Sequence, residues 1–226
     1  MVKNLLNLFF PKICLTCDYP LEDNELHLCT FCRHELPLTD FKNIAQNEVT
    51  KILYGRVQLK YATSLLWFSK KGIVQHLLHN LKYKGHEEIG EFLGAWLGQD
   101  LRAHEGFRTV DVVVPVPLHS KKLRQRGYNQ VDKFGRELAK ALNCEYNTRV
   151  LQKTKATTTQ VFKDRLRRWT NDETVFTITE LESLKGKHVL LVDDIITTGA
   201  TLEICANALL KIEGLTISVA TMAIAE

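Results

Sequence analysis

Residues 189–201, Val-Leu-Leu-Val-Asp-Asp-Ile-Ile-Thr-Thr-Gly-Ala-Thr, constrain the fold of this 226-residue chain more than any other stretch. A short apolar run, Val189 to Val192, ends in two carboxylates, Asp193 and Asp194. A five-residue turn, Thr197, Thr198, Gly199, Ala200 and Thr201, then leads into a helical pattern over Leu202 to Lys211. The order predicts a buried strand, a tight turn and a helix start. Such a turn offers backbone N–H groups, three hydroxyls and the positive end of a helix to one anion. The acids just upstream suit sugar hydroxyls or a hard metal ion. A ligand with a phosphate at one end and a ribose in its middle satisfies all of these groups together. The stretch is not a Walker A loop, because no Lys follows Gly199, and it lacks the G-x-G-x-x-G of a dinucleotide fingerprint.

Four of the six cysteines form two C-x-x-C pairs, Cys14/Cys17 and Cys29/Cys32, separated by residues 18–28. Each pair can clasp a metal from one turn, and four thiolates complete a tetrahedral Zn²⁺ shell. So short a segment has too little apolar mass for its own core, so the metal supplies its folding energy. His27 and His34 are alternatives for one of the four ligands, although flanking polar roles are expected of them. A closed Cys₄ shell has no open position, so this zinc is predicted to be structural. Cys144 and Cys205 stand apart and are read as small apolar residues.

Alternating patterns elsewhere predict an α/β protein, a mostly parallel sheet flanked by helices. Strands are expected over Leu59–Phe68, Val110–Val116, Glu145–Leu151, Asp172–Phe176, 188–192 and Thr216–Met222. Helices are expected over Ile73–Leu81, Glu87–Leu101, Gln130–Leu142 and 201–212, with a short amphipathic helix before Pro11. Lys42 to Arg56 reads as a connector, and Lys82 to His86 as an ordinary helix end. Two units are expected: residues 1–50, an N-terminal helix with a zinc ribbon, and 51–226, the main domain. The hydrophobic fraction of 45% and net charge of +4 suit a soluble protein with a polyanionic small substrate, and are too weakly basic to establish nucleic-acid binding. No secretory signal or membrane span is expected, so a cytoplasmic location is predicted.

A second constellation follows the predicted strand 110–116. Lys121, Lys122, Arg124 and Arg126 crowd within six positions, read as a loop that bends at Gly127. Such cations repel unless solvated or neutralised, and a pyrophosphate would neutralise them. A third cluster, Thr157 to Arg168, reads as a lid over the site or a charged surface helix.

The strand, acid pair and Thr/Gly turn resemble the site for phosphoribosyl pyrophosphate (PRPP) in type I phosphoribosyltransferases. Taken with the Cys₄ module and Val113-Val-Pro-Val-Pro-Leu-His…Arg126-Gly-Tyr-Asn-Gln130, the chain resembles the ComF family (the ComFC/GntX-like group). That resemblance implies a type I phosphoribosyltransferase fold and a role in DNA uptake during natural transformation; it leaves open whether catalysis occurs. It implies PRPP with Mg²⁺ as ligand, its 5′-phosphate in the turn, its ribose hydroxyls on Asp193 and Asp194, and its diphosphate shared by Arg124 or Arg126. His119 is the nearest proton acceptor, though a backbone-bonded loop role is the simpler expectation. The alternative is a non-catalytic competence factor that binds single-stranded DNA through its basic segments, with PRPP as regulator and a competence helicase-type protein of the uptake machinery as partner. Steep salt dependence is the signature of such DNA contacts.

Overall fold

The computed structural model describes residues 11–155 and 174–226. The helix read before Pro11 and the third cluster beyond Lys155 fall outside the described residues. Helices are α1 (Thr30–His34), α2 (Glu48–Leu53), α3 (Ile73–Tyr83), α4 (Glu88–Ala103), α5 (Ser120–Arg126), α6 (Asp132–Leu142) and α7 (Ala200–Leu209). Strands are β1 (Tyr61–Phe68), β2 (Val112–Pro115), β3 (Glu145–Tyr146), β4 (Leu151–Lys155), β5 (Thr174–Ile178), β6 (His188–Ile196) and β7 (Thr216–Ala225).

Five strands form one sheet in the order β1-β7-β6-β2-β3, and every pairing in it is parallel. The apolar runs of β2, β6 and β7 are buried on both faces, as parallel strands covered by helices must be. One face packs on α3, α4 and α6 through Leu77, Leu81, Leu93, Phe134 and Leu138. The other packs on α2 and α7 through Val49, Leu53, Leu202, Cys205 and Leu209. From β2 the chain moves to β3 on one side and later to β6 on the other. The crevice at the C-terminal ends of β2 and β6 is therefore the switch point of the sheet, where open α/β folds place ligands.

Five expectations need correction. β6 does not stop at Val192: it pairs with β7 through Ile196, so the two acids lie within the strand. The turn is shorter than five residues, because Ala200 and Thr201 already belong to the first turn of α7. The basic segment is a helix, α5, that Gly127 terminates in the left-handed conformation (φ 83°). The segment 42–56 is no mere connector: Asn47 caps α2 in a reciprocal box with Thr50, its side chain accepting the Val49 and Thr50 amides. The strand expected over 145–151 divides between β3 and β4, and β4 pairs antiparallel with β5 in a separate two-stranded ribbon.

Pro115 sits inside the sheet at no cost because β3 pairs only with Val112 and Val113, leaving no strand opposite the missing N–H. β1, expected as a strand packed on the main domain, is the sheet's edge strand beside β7. None of the described helices is long and apolar enough to cross a membrane.

Candidate ligand site and metal centre

The acid pair stands at the end of the sheet where β2 and β6 run side by side, Pro115 opposite Val192. Asp194 is buried at 5% exposure, and its Oδ2 lies 2.9 Å from Lys82 Nζ at the end of α3. The pair has ion-pair distance without hydrogen-bond alignment, so Asp194 Oδ2 has no hydrogen-bond partner among the described residues. Asp193 accepts the Asp194 amide at 2.8 Å. Burial, and then the Asp194 charge, push the Asp193 carboxyl up to about 8, against the pull of that amide, of Lys82 and of Lys153 on β4. Lys82, read from sequence only as a helix-ending cation, is thus the counter-charge of the acid pair.

Downstream, Gly199 holds φ at +75° and caps α7 with no side-chain hydrogen bond. The first backbone hydrogen bond of α7 runs from the Glu203 amide to the Gly199 carbonyl at 2.8 Å. Ahead of it, the Ala200 amide reaches only Thr198 Oγ1, at 3.5 Å. Thr197, Thr198, Ala200 and Thr201 are exposed, while Gly199 is buried against α2. A Cβ at Gly199 would lie 2.8 Å from Leu53 Cδ2, so both the positive φ and the space demand glycine. The N–H groups at the head of α7 are left open to an anion.

Lys121, Lys122 and Arg124 project exposed from α5, and no described hydrogen bond or ion pair joins their side chains to the acid pair. Arg126 is half-buried: it donates to Gln130 Oε1 at 2.7 Å and lies 5.0 Å from the centre of the Tyr83 ring, beside Lys82. The ends of α3 and α5 therefore meet. Asn129 Nδ2 donates to the Val116 carbonyl at 3.0 Å and Tyr128 Oη to the Leu81 carbonyl, fixing this junction to β2 and α3. His119 accepts the Lys121 amide at 3.1 Å and caps α5.

Arg56 also bears on the turn, and the sequence pattern did not single it out. Its guanidinium donates to the Thr198 carbonyl at 2.7 Å. A reader of the sequence had one local hint, the Asn47/Thr50 capping pair that starts the helix before it.

The four cysteines Cys14, Cys17, Cys29 and Cys32 bring their sulfurs within 4.8 Å of one another. Cys17 and Cys29 Sγ are 3.8 Å apart. Tetrahedral ligation at a metal–sulfur distance of about 2.3 Å requires sulfur separations of roughly 3.8 Å, so the cluster fits a metal ion. The Cys29 amide donates to Cys14 Sγ at 3.3 Å and the Cys32 amide to Cys29 Sγ at 3.4 Å. Burial raises the Cys14 thiol, but backbone donors from Cys17, Cys29 and Thr16 outweigh it and bring Cys14 down to about 7. Neither histidine joins the cluster: His27 packs on Phe92, and exposed His34 contacts Glu35. Cys205 is buried with its thiol pushed up, and burial pushes Cys144 up to about 11, which suits two unreactive packing residues.

Residues 130–225 match the phosphoribosyl transferase domain family. The match spans α6, β6, the turn and α7, the elements that assemble the acid pair and the open amides. The DNA utilization protein YhgH of Escherichia coli O157:H7 is 32% identical over 146 residues, 63% of each chain. The competence protein ComFC of Bacillus subtilis is 24% identical over 204 residues, 88% of this chain and 78% of that one. The competence protein F of Haemophilus influenzae is 30% identical over 112 residues, covering 49% of this chain and 48% of its own length. Residues 130–225 thus form a phosphoribosyl transferase-type domain, and the chain is similar to these DNA utilization and competence proteins. The chain combines this domain with a Cys₄ cluster able to hold a metal ion. It spans 63% of the length of the E. coli relative.

The Asp193 shift carries a sign for stability. An unfolded Asp titrates near about 4, so between about pH 4 and pH 8 the folded chain holds a proton that the unfolded chain has lost. Stability therefore falls as pH rises through that window and levels off above it. Thermal melts of Asp193→Asn from pH 4.5 to 8.5 should show a smaller decline than the wild type. Equal declines would mean that Asp193 titrates normally.

Proposed function

We propose that this chain belongs to the ComF family, binds PRPP with Mg²⁺ and acts in DNA uptake during natural transformation. One observation carries the reading: a pair of acids, Asp194 buried and Asp193 half-buried, followed within one turn by uncapped helix amides, at the switch point of a parallel sheet. In this reading Thr197, Thr198, Gly199, Ala200 and Thr201 hold the 5′-phosphate. Asp193 and Asp194 accept the ribose 2′- and 3′-hydroxyls. Lys121, Lys122, Arg124 and Arg126 neutralise the diphosphate. Bound with PRPP, Mg²⁺ would supply charge neutralisation at the diphosphate beside these cations. In pentosyl transfer, the ribose C1–O bond breaks with its electron pair leaving on the diphosphate while an acceptor nucleophile bonds to C1; positive charge grows on the ring between the two, and the ionised Asp194 carboxylate favours that state over the ground state.

The proposal divides the chain as the sequence suggests: a zinc ribbon within residues 1–50 and a phosphoribosyltransferase-like domain over 51–226, in the cytoplasm. Zinc suits the four-thiolate donor set, and a shell closed by cysteine keeps it structural. The DNA role draws on the names of the relatives. Exposed Lys121, Lys122 and Arg124 supply cations for a single-stranded DNA backbone, with the salt dependence such contacts impose.

PRPP with Mg²⁺ at one hundred times its dissociation constant should stabilise the protein by about 2.7 kcal/mol in calorimetric or fluorimetric melts. Asp193→Ala should abolish the gain. Absence of any shift in the wild type would defeat the reading. Purified protein should carry about one zinc per chain by elemental analysis, and chelation should lower its melting temperature. A metal-free preparation of undiminished stability would contradict the zinc assignment.

A further inference from the structure

The carbonyl of Thr198 is held from the far side of the turn by Arg56, the residue three positions beyond the end of α2. Arg56 Nη2 donates to that carbonyl at 2.7 Å and to the Ile52 carbonyl in α2. Its Nη1 pairs with Glu203 Oε2 on α7 at 2.9 Å, and its own carbonyl accepts from Asn207 Nδ2 at 3.0 Å. One side chain thus ties together α2, the turn and α7. The packing agrees: the place where a Gly199 side chain would begin is occupied by Leu53, Ile52 and the Arg56 guanidinium.

We infer that Arg56 is the positioning residue of the phosphate turn, acting through the Thr198–Gly199 peptide and through Glu203. A trans peptide is planar, so its carbonyl and its N–H point in opposite directions. Pinning the Thr198 carbonyl toward Arg56 therefore aims the Gly199 amide away from α2, with the other open amides at the head of α7. The second contribution is electrostatic. Glu203 lies in the first turn of α7, where its negative charge opposes an incoming phosphate, and the ion pair with Arg56 cancels it at short range. The guanidinium fork makes both contacts at once; an ammonium at this position has neither the planarity nor the reach to do so.

This inference rests on the proposed seating of a 5′-phosphate in the turn, and two probes separate it from that reading. Ribose 5-phosphate reports on the turn. Magnesium pyrophosphate reports on the α5 cations and serves as the control for an intact fold. Calorimetric titration of the full-length, metal-loaded chain with each probe is compared for wild type, Arg56→Ala, Arg56→Lys and the double variant Arg56→Ala/Glu203→Gln. Arg56→Ala should weaken ribose 5-phosphate binding about tenfold or more, the scale of losing a charged hydrogen bond, and leave magnesium pyrophosphate within about twofold. Arg56→Lys should fall between, and the double variant should regain part of the loss. Unchanged ribose 5-phosphate affinity in Arg56→Ala would overturn the inference. So would equal loss of both probes in Arg56→Ala and Arg56→Lys, which marks a general structural role. If the wild type binds neither probe, the parent reading fails and the inference falls with it.

Discussion

Two adjacent carboxylates on a buried parallel strand are costly unless something compensates for each of them, and the surroundings of β6 are built to do so. Asp194 is met by Lys82, delivered by the last turn of α3. Asp193 has the Asp194 amide and a proton that burial makes it keep to about pH 8. An unpaired charge buried at this depth would cost many kcal/mol, so a lone pair of acids without Lys82 is not a viable strand end. The Lys82 contact is electrostatic and not an aligned hydrogen bond, so Asp194 Oδ2 is buried with its hydrogen-bonding capacity unused among the described residues. The arrangement is stable enough to fold and still unsatisfied enough to bind.

The cysteine cluster is mechanically joined to the same place. Asn80 on α3 donates to the Leu15 carbonyl at 2.7 Å, and Cys14, Leu15, Leu28 and Cys32 share one apolar cluster with Leu77 and Leu81 of that helix. Arg33 lies 5.5 Å from the centre of the Trp96 ring on α4. The helix that carries Lys82 to Asp194 is therefore clamped on its outer side by the thiolate cluster, and an ion that orders the cluster also steadies α3. On the opposite face of the sheet, α2 does the equivalent for the turn through Leu53 and Arg56.

What was legible in the sequence was what is local. The apolar run, acid pair and Thr/Gly turn lie within thirteen consecutive positions, 189–201, so strand, turn and helix start could be read from order alone. The C-x-x-C spacing made the cluster equally plain. Helix α2 was hidden because six residues hold too little periodicity, and its start is marked by a capping pair instead. Helix α5 has no helical signature in the sequence, because its cations leave only Leu123 as an apolar marker and that residue is itself exposed. The sequence pattern ends β6 too early, since acids ordinarily end a strand, whereas pairing with β7 carries this one to Ile196. Lys82 and Arg56 act on residues far along the chain, Arg56 on one 142 positions away, and no sequence pattern signals a partner at that distance.

The central claim is that the amides at the head of α7 and the carboxylates on β6 grip one sugar phosphate between them. A crystal structure of the full-length protein with PRPP and Mg²⁺ tests this most directly. The account predicts phosphate oxygens within about 3 Å of the amides of the Thr197–Thr201 segment, and ribose hydroxyls on Asp193 and Asp194. A phosphate seated elsewhere, with those amides turned to water and the Lys82–Asp194 contact unaltered, would contradict it.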